Sequence, residues 1–305
     1  MDAQRNLAAI GFMLTATAFI AGTTLLAKMA GAGPDGLHPL QISQGRFLFA
    51  FLVFWTAAAV LRPKFTRPAW HLHGLRTLTG WGGVTLMFAA VQLIPLADAT
   101  AITFLNPVFA MVLAIVVLGE RAGPWRWIAA AIALTGALIL IRPGPGTFEP
   151  GALVALAAAA VMGTEITILK FLSGREKPFQ ILLINNSFGL VIATTAALFV
   201  WQAPSPRQWL NLAGIGVLMA GAQSLYIQAM RRADASFVMP FSYTTLVFAT
   251  LYDLGVFGVV PDGLSLTGAG VILAGGLLLA WREGRQRGAK VANSEVASSS
   301  SAIGR

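Results

Sequence analysis

An all-α polytopic membrane protein of ten transmembrane helices, folded as two inverted five-helix repeats, is the fold class this sequence predicts. Three observations predict it: an apolar composition, ten apolar runs separated by polar punctuation, and basic residues gathered in alternate connections. The composition comes first. Of 305 residues, 56% are hydrophobic and only 11% are charged. Soluble domains carry about 25% charged residues. A folded globule still exposes much of its chain, so this much apolar surface calls for lipid as solvent. The net charge of +9 does not point to nucleic acid, because the basic residues lie in short segments between apolar runs. The chain has no cysteine, which excludes disulfides, thiolate metal sites and a cysteine nucleophile.

A helix needs about 20 apolar residues to cross the hydrocarbon core. Cutting at charged, proline-rich and glycine-rich segments gives runs at 7–29, 38–61, 73–93, 96–118, 125–141, 151–171, 178–201, 209–229, 236–258 and 264–282. The first run is longer than the ~7–15-residue core of a signal peptide, and it is read as the first helix. Residues 284–305 are polar and serine-rich and read as a disordered cytoplasmic tail. The expected units are therefore 1–144, 145–283 and that tail.

Orientation follows from the basic residues, which accumulate on the cytoplasmic side. Of the 21 lysines and arginines, only Lys28, Arg142 and Arg207 fall in connections of the second face. Arg46 lies inside a run, and the remainder, Arg76 among them, are assigned to the first face together with both termini. Both termini are thus expected in the cytoplasm.

The halves also resemble each other. With 85–99 laid over 221–235, Gln92 meets Gln228, Ala97-Asp98-Ala99 meets Ala233-Asp234-Ala235, and Thr100 meets Ser236. Further on, TGALILIR at 135–142 lies over GGLLLAWR at 275–282. Five helices per half is an odd number, so the two halves face opposite ways, an arrangement that offers two gates around a midplane site.

The stretch 93–144, with its small-residue start, the Asn106-Pro107 step, the Gly119-Glu120-Arg121 exit and a glycine-punctuated following helix, resembles the signature region of EamA-type carriers. These belong to the drug/metabolite transporter superfamily, and the likeness extends to bacterial amino-acid and metabolite exporters. The second half resembles the pattern more loosely in RADASFVMPFSYTTLVFATLYDLGVF and lacks the Glu-Arg exit. Arg46-Phe47 and His73-Gly74-Leu75-Arg76 also resemble members that move amino-acid-like metabolites. The resemblance implies a ten-helix basket with a central cavity. It also implies a substrate among amino acids, S-adenosylmethionine, riboflavin and sugar-linked metabolites.

Charges inside a membrane are costly and mark function by default. Four are singled out for gating or coupling. Arg46 is either a contact for a substrate carboxylate or a structural arginine. Glu165 is either a relay or an interfacial partner of Lys170 or another base. Asp253 is placed to pair with Lys28, as a gate or as a plain structural pair. Uncharged polar side chains avoid hydrocarbon, so the substrate-binding candidates are Thr103, Asn106, Gln223, Tyr226, Ser242, Tyr243 and Thr244, with Trp81 and Phe104 as stacking surfaces. The other reading of the hydroxyls and amides is inter-helix glue. Asn185-Asn186 reads as glue, and Thr15, Thr17, Thr23 and Thr24 as back-bonded to their own helix. Trp55, Trp70, Trp125, Trp127, Trp201 and Trp209 sit near run ends as interfacial anchors. Gly151-Ala155-Ala159-Gly163, Gly216-Ala220 and Gly276-Ala280 carry the spacing that lets helices approach closely.

No G-x-x-x-x-G-K-[ST] loop is present, so a secondary carrier is expected rather than an ATP-driven pump. A membrane enzyme would need clustered His, Asp or Glu, and the three histidines do not supply it; a channel is the remaining class. The expected activity is export of neutral or aromatic amino acids across a bacterial inner membrane, with uptake of a larger metabolite such as S-adenosylmethionine or riboflavin as the alternative. No cofactor, metal, catalytic residue or nucleic acid is expected; the partners are a small-molecule substrate and membrane lipid, the chain acting as a monomer or weak dimer.

Overall fold

Proline sets where many of the helices start. It suits the first helical position, because its missing N–H would have no partner there and its φ is already helical. In the computed structural model, which describes residues 2–118, 123–142, 149–173, 175–233 and 238–278, a proline is the first residue of five of the described helices. These are α2 (Pro39–Leu61), α6 (Pro124–Ile141), α7 (Pro150–Ser173), α8 (Pro178–Ala197) and α9 (Pro206–Met230). Ser205 adds a capping box to α9: its hydroxyl accepts from the Gln208 N–H, and the Gln208 side chain accepts from the Ser205 N–H at 2.8 Å. The remaining described helices are α1 (Asp2–Ala30), α3 (Trp70–Leu93), α4 (Leu96–Thr103), α5 (Asn106–Leu118), α10 (Thr244–Tyr252) and α11 (Gly263–Leu278). A short 3₁₀ turn, Leu198–Val200, extends α8.

Within the described residues, each apolar run of the sequence is thus largely helical. Among the described residues, seven segments are long and apolar enough to cross a membrane, the α4–α5 pair counting as one at Leu96–Val117. The tail 284–305, the Gly119-Glu120-Arg121 exit and Asp234 lie outside the described residues.

The broadest packing joins the first half to the second: α1 lies on α9, α3 on α7, and α2 on both α8 and α9. Small residues make these approaches possible. Ala155 and Ala159 on α7 are fully buried. A Cβ at Gly163 would stand 2.7 Å from the Asn106 carbonyl oxygen and 2.8 Å from Phe109 Cβ, so α7 meets α5 backbone to backbone. Gly216 likewise lets α9 lie against the Arg46 carbonyl of α2, 2.9 Å from where its Cβ would be. Such contacts replace the hydrophobic drive that lipid does not supply.

Large apolar side chains face outward, among them Phe199, Val116 and Leu210. The six tryptophans expected at the interfaces are all exposed at helix ends. Thr15, Thr17, Thr23 and Thr24 return their hydroxyls to carbonyls three or four residues back, as the sequence suggested.

Candidate transport path

Two interruptions face each other in the middle of the bundle. In the first half, helix four stops at Thr103 and restarts at Asn106. Pro107 has no N–H to offer the Thr103 carbonyl. The backbone tightens instead, with the Leu105 N–H on Ile102 O at 3.0 Å and the Val108 N–H on Leu105 O at 2.9 Å. In the second half, a 3₁₀ segment, Met239–Tyr243, begins with Pro240 near its start and passes into α10. The register that lays Asp98 over Asp234 lays Phe104 over Pro240 and Asn106 over Ser242. The irregular turns therefore occupy corresponding places in the two halves. They touch: the Phe104 and Tyr243 rings meet edge to face, centroids 5.0 Å apart. Corresponding broken helices at the midplane are where carriers of inverted-repeat design place a solute.

The polar candidates around this crossing are used differently. Thr103 returns its hydroxyl to Thr100 O at 2.8 Å. The Thr244 hydroxyl is 2.8 Å from that of Thr17, which ties α10 to α1. Asn106 and Ser242 flank the two breaks, and both are half-buried. Tyr243 lies against Gly276 of α11, where a Cβ would clash with its hydroxyl. On α9, Gln223 buries an Oε1 without a hydrogen-bond partner among the described residues. Tyr226, one turn on, packs with Ala9, Met13, Ala229 and Val238 towards the face that carries the start of α1. Gln223 and Tyr226 share a helix face, and Tyr226 packs in an apolar cluster that also includes Phe241.

A second group of candidates lies between α2, α3 and α7. The Glu165 carboxylate stands 3.1 Å from Arg76 Nη2. Gly80 of α3 makes room for it, since a Cβ there would be 3.0 Å from the carboxylate. The assignment of Arg76 to a basic connection is corrected by this placement. It sits nearly two turns inside α3 and is 4% exposed. Its long side chain reaches inward to the carboxylate, a pairing invisible among the neighbouring charges of the sequence. Arg46 is 6% exposed and has its guanidinium over the Phe47 ring at 4.3 Å. Trp81 packs with the same cluster as Phe47, and its Nε1 is buried. Asn186 gives its amide to Leu182 O at 2.8 Å.

At the face opposite the basic connections, Lys28 and Asp253 come together as the sequence suggested, Nζ to Oδ1 at 3.3 Å. Asp253 is fully buried and also accepts the Ala97 N–H at 3.0 Å, at the start of α4. It opens a single π-helical turn, Asp253–Phe257, closed by Gly258 at φ +66. Such turns are frequent at functional sites. Lys28 reaches the Ile94 carbonyl at 3.3 Å and lies over the Phe257 ring at 4.8 Å. Beside this pair is a cavity of about 230 Å³ lined by Asp98, Asp253, Asp262, Glu149, Arg142 and Ser265, among others. Arg142 caps α6 in the left-handed region at φ +51 and holds Asp262 at 2.7 Å. The Ser265 N–H and then Arg142 hold the Asp262 carboxyl below the usual carboxylate range, against a smaller opposing effect of burial.

On the basic face, Glu176 joins two connections. It accepts the Ala69 N–H at 2.8 Å, His73 Nε2 lies 2.9 Å from its other oxygen, and Gln180 donates to it at 2.6 Å. Burial pushes this carboxyl up. The donors from Ala69, His73 and Gln180 together outweigh burial and hold it below its ordinary range. In the sequence, His73 and Arg76 stand out only within the His73-Gly74-Leu75-Arg76 motif, which points neither to this latch nor to the Arg76–Glu165 pair. The signals for the latch are two histidines, His71 and His73, entering α3 and a glutamate just before α8.

Comparison with known proteins agrees with this architecture. A sequence model of the EamA-like transporter family matches residues 7–142 and again 149–281. A riboflavin transporter of Vibrio cholerae is 32% identical over 67% of this chain and 68% of its own length. An S-adenosylmethionine uptake transporter of Rickettsia prowazekii is 24% identical over 83% of this chain and 87% of its own. A solved crystal structure superposes with a TM-score of 0.60 at 20% identity, covering 87% of this chain and 95% of that one, a likeness of fold.

Proposed function

Because this chain belongs to the EamA-like transporter family, we propose that it takes up a metabolite built on a planar ring system, of the riboflavin or S-adenosylmethionine kind, by alternating access. That it moves a small solute across a membrane follows from the family. The ring-bearing class is our reading, and it is carried by the Phe104–Tyr243 contact at the two helix breaks. An aromatic edge and face at the two helix breaks suit a flat solute. Asn106 and Ser242 flank the same breaks with groups able to hydrogen-bond a polar rim. The names of relatives from Vibrio cholerae and Rickettsia prowazekii support this class, whereas none of the relatives described above is named for amino-acid export. The Lys28–Asp253 pair is assigned to the gate on the face opposite the basic connections. The chain is placed in the bacterial inner membrane with the basic face in the cytoplasm, a reading supported by the distribution of lysine and arginine.

The test is counterflow in proteoliposomes with labelled riboflavin and S-adenosylmethionine, set against an aromatic amino acid. Saturable exchange of at least one ring-bearing metabolite is expected. Tyr243→Ala and Asn106→Ala are expected to lower it by about five- to tenfold, the weight of one stacking or polar contact, with protein levels unchanged. Exchange of the amino acid alone would overturn the substrate class. Unitary currents in planar bilayers would replace the carrier with a channel.

A further inference from the structure

Arg46 lies about two turns inside α2, and its surroundings leave its charge unanswered. Its Nε and Nη1 are buried with no hydrogen-bond partner among the described residues. The Phe47 ring beneath it attracts the cation weakly and accepts none of its in-plane N–H groups. Glu165 and Arg76 are both within electrostatic reach. Glu165 is already engaged by Arg76, so the three groups sum to one positive charge. An uncompensated guanidinium this deep is destabilising. A group that costs this much is explained when an anion arrives to meet it.

We infer that Arg46 is the subsite for an anionic group, a carboxylate or phosphate, on the transported solute; this rests on the transport reading above. The neighbouring helix supplies the right company. Thr77, Trp81 and Thr85 follow one another at four-residue spacing on α3. Each buries a side-chain atom able to donate a hydrogen bond and lacking a partner among the described residues. Guanidinium and indole N–H are donors only, and a threonine hydroxyl can donate as well as accept, so the group is equipped to meet an oxygen-rich anion. The planar guanidinium can meet carboxylate or phosphate oxygens through two parallel bonds. Arg76 also buries its Nε and Nη1 without a hydrogen-bond partner among the described residues, but its Nη2 is paired with Glu165, whereas no ion pair of Arg46 is seen among the described residues. A ring stacked at Phe104 and Tyr243 and an acid group at Arg46 would define the solute by two features.

The test uses the purified full chain and two pairs of compounds that differ by one acid group: flavin mononucleotide against riboflavin, and S-adenosylmethionine against its decarboxylated analogue. Binding is read as protection from thermal unfolding in neutral detergent, and transport as counterflow. In at least one pair, the acid-bearing member is expected to bind about thirtyfold more tightly or better. Arg46→Gln is expected to abolish that preference while folding normally, since it removes an unpaired buried charge, and Arg46→Lys to retain part of it. Equal binding of both members in each pair overturns the inference, even if one is transported, and leaves the uptake reading standing. If none of the four is bound or moved, the uptake reading fails, and inorganic phosphate and acetate decide the inference. A saturable shift lost in Arg46→Gln sustains it, and no such shift overturns it. Added phosphatidylglycerol that reproduces the shift and displaces the soluble anions would assign the guanidinium to a lipid phosphate and overturn it too.

Discussion

A charged side chain inside a membrane span is defined by what answers it. Asp253 has no exposed surface and is answered by Lys28 and by the Ala97 N–H. Lys28→Met would leave the carboxylate with the backbone N–H alone. Breaking a buried pair on one side typically costs about 3 kcal/mol or more, whereas replacing both partners by apolar groups is often near neutral. Lys28→Met is therefore expected to lower the thermal midpoint in detergent clearly, and Lys28→Met/Asp253→Leu to recover most of the loss. If the double variant falls by the sum of the two single ones, the residues do not act as a pair. This pair was legible in the sequence because each residue is the lone charge at the far end of its run. Arg76 was not, because it follows Arg62, Lys64 and Arg67 in an apparently basic connection and only the fold turns it inward to Glu165.

At the scale of the helix, the informative places are those where regular hydrogen bonding stops. The Asn106-Pro107 step was visible as a proline inside an apolar run, and it accounts for the restart of the helix there. The 3₁₀ geometry of the turn, and its contact with the matching turn of the other half, depend on packing between distant segments that local propensity does not encode. The π-helical turn at Asp253 had no local signal at all. The glycine and alanine spacing of α7 was legible, and the fold uses it at a definite place, where Gly163 brings α7 against the Asn106 carbonyl at the break. Gly163→Ala would need the two backbones to part, because atoms of the Asn106 and Ala110 backbone stand 2.7 and 2.9 Å from the new Cβ. Overpacking of this kind costs about 1–3 kcal/mol. The expected outcome is a lower thermal midpoint together with impaired counterflow. Gly74→Ala, where a Cβ meets nothing within 4 Å, serves as the control that leaves both unchanged.

Taken whole, the molecule consists of two halves whose main contacts are with each other: α1 with α9, α3 with α7, and α2 with α8 and α9. Each half matches the same family description in turn, and the helix breaks lie at corresponding positions. The latch at Glu176 ties connections on the basic face, while Lys28–Asp253 and Arg142–Asp262 tie elements on the opposite face. A carrier that alternates between two openings needs polar closures of this sort on both sides of its site, since ion pairs and hydrogen bonds reform more readily than a packed core. Which face is cytoplasmic was read from sequence alone, and moving Arg76 into α3 weakens that bias by only one residue. The absence of native cysteine makes the orientation directly testable with single substitutions. Lys64→Cys lies in the exposed α2–α3 connection and Arg207→Cys at the exposed start of α9. In intact cells, a membrane-impermeant maleimide is expected to label Arg207→Cys and to reach Lys64→Cys only after the membrane is opened. The reverse pattern would invert the chain in the membrane, exchanging the two gates and moving the Lys28–Asp253 pair to the cytoplasmic mouth.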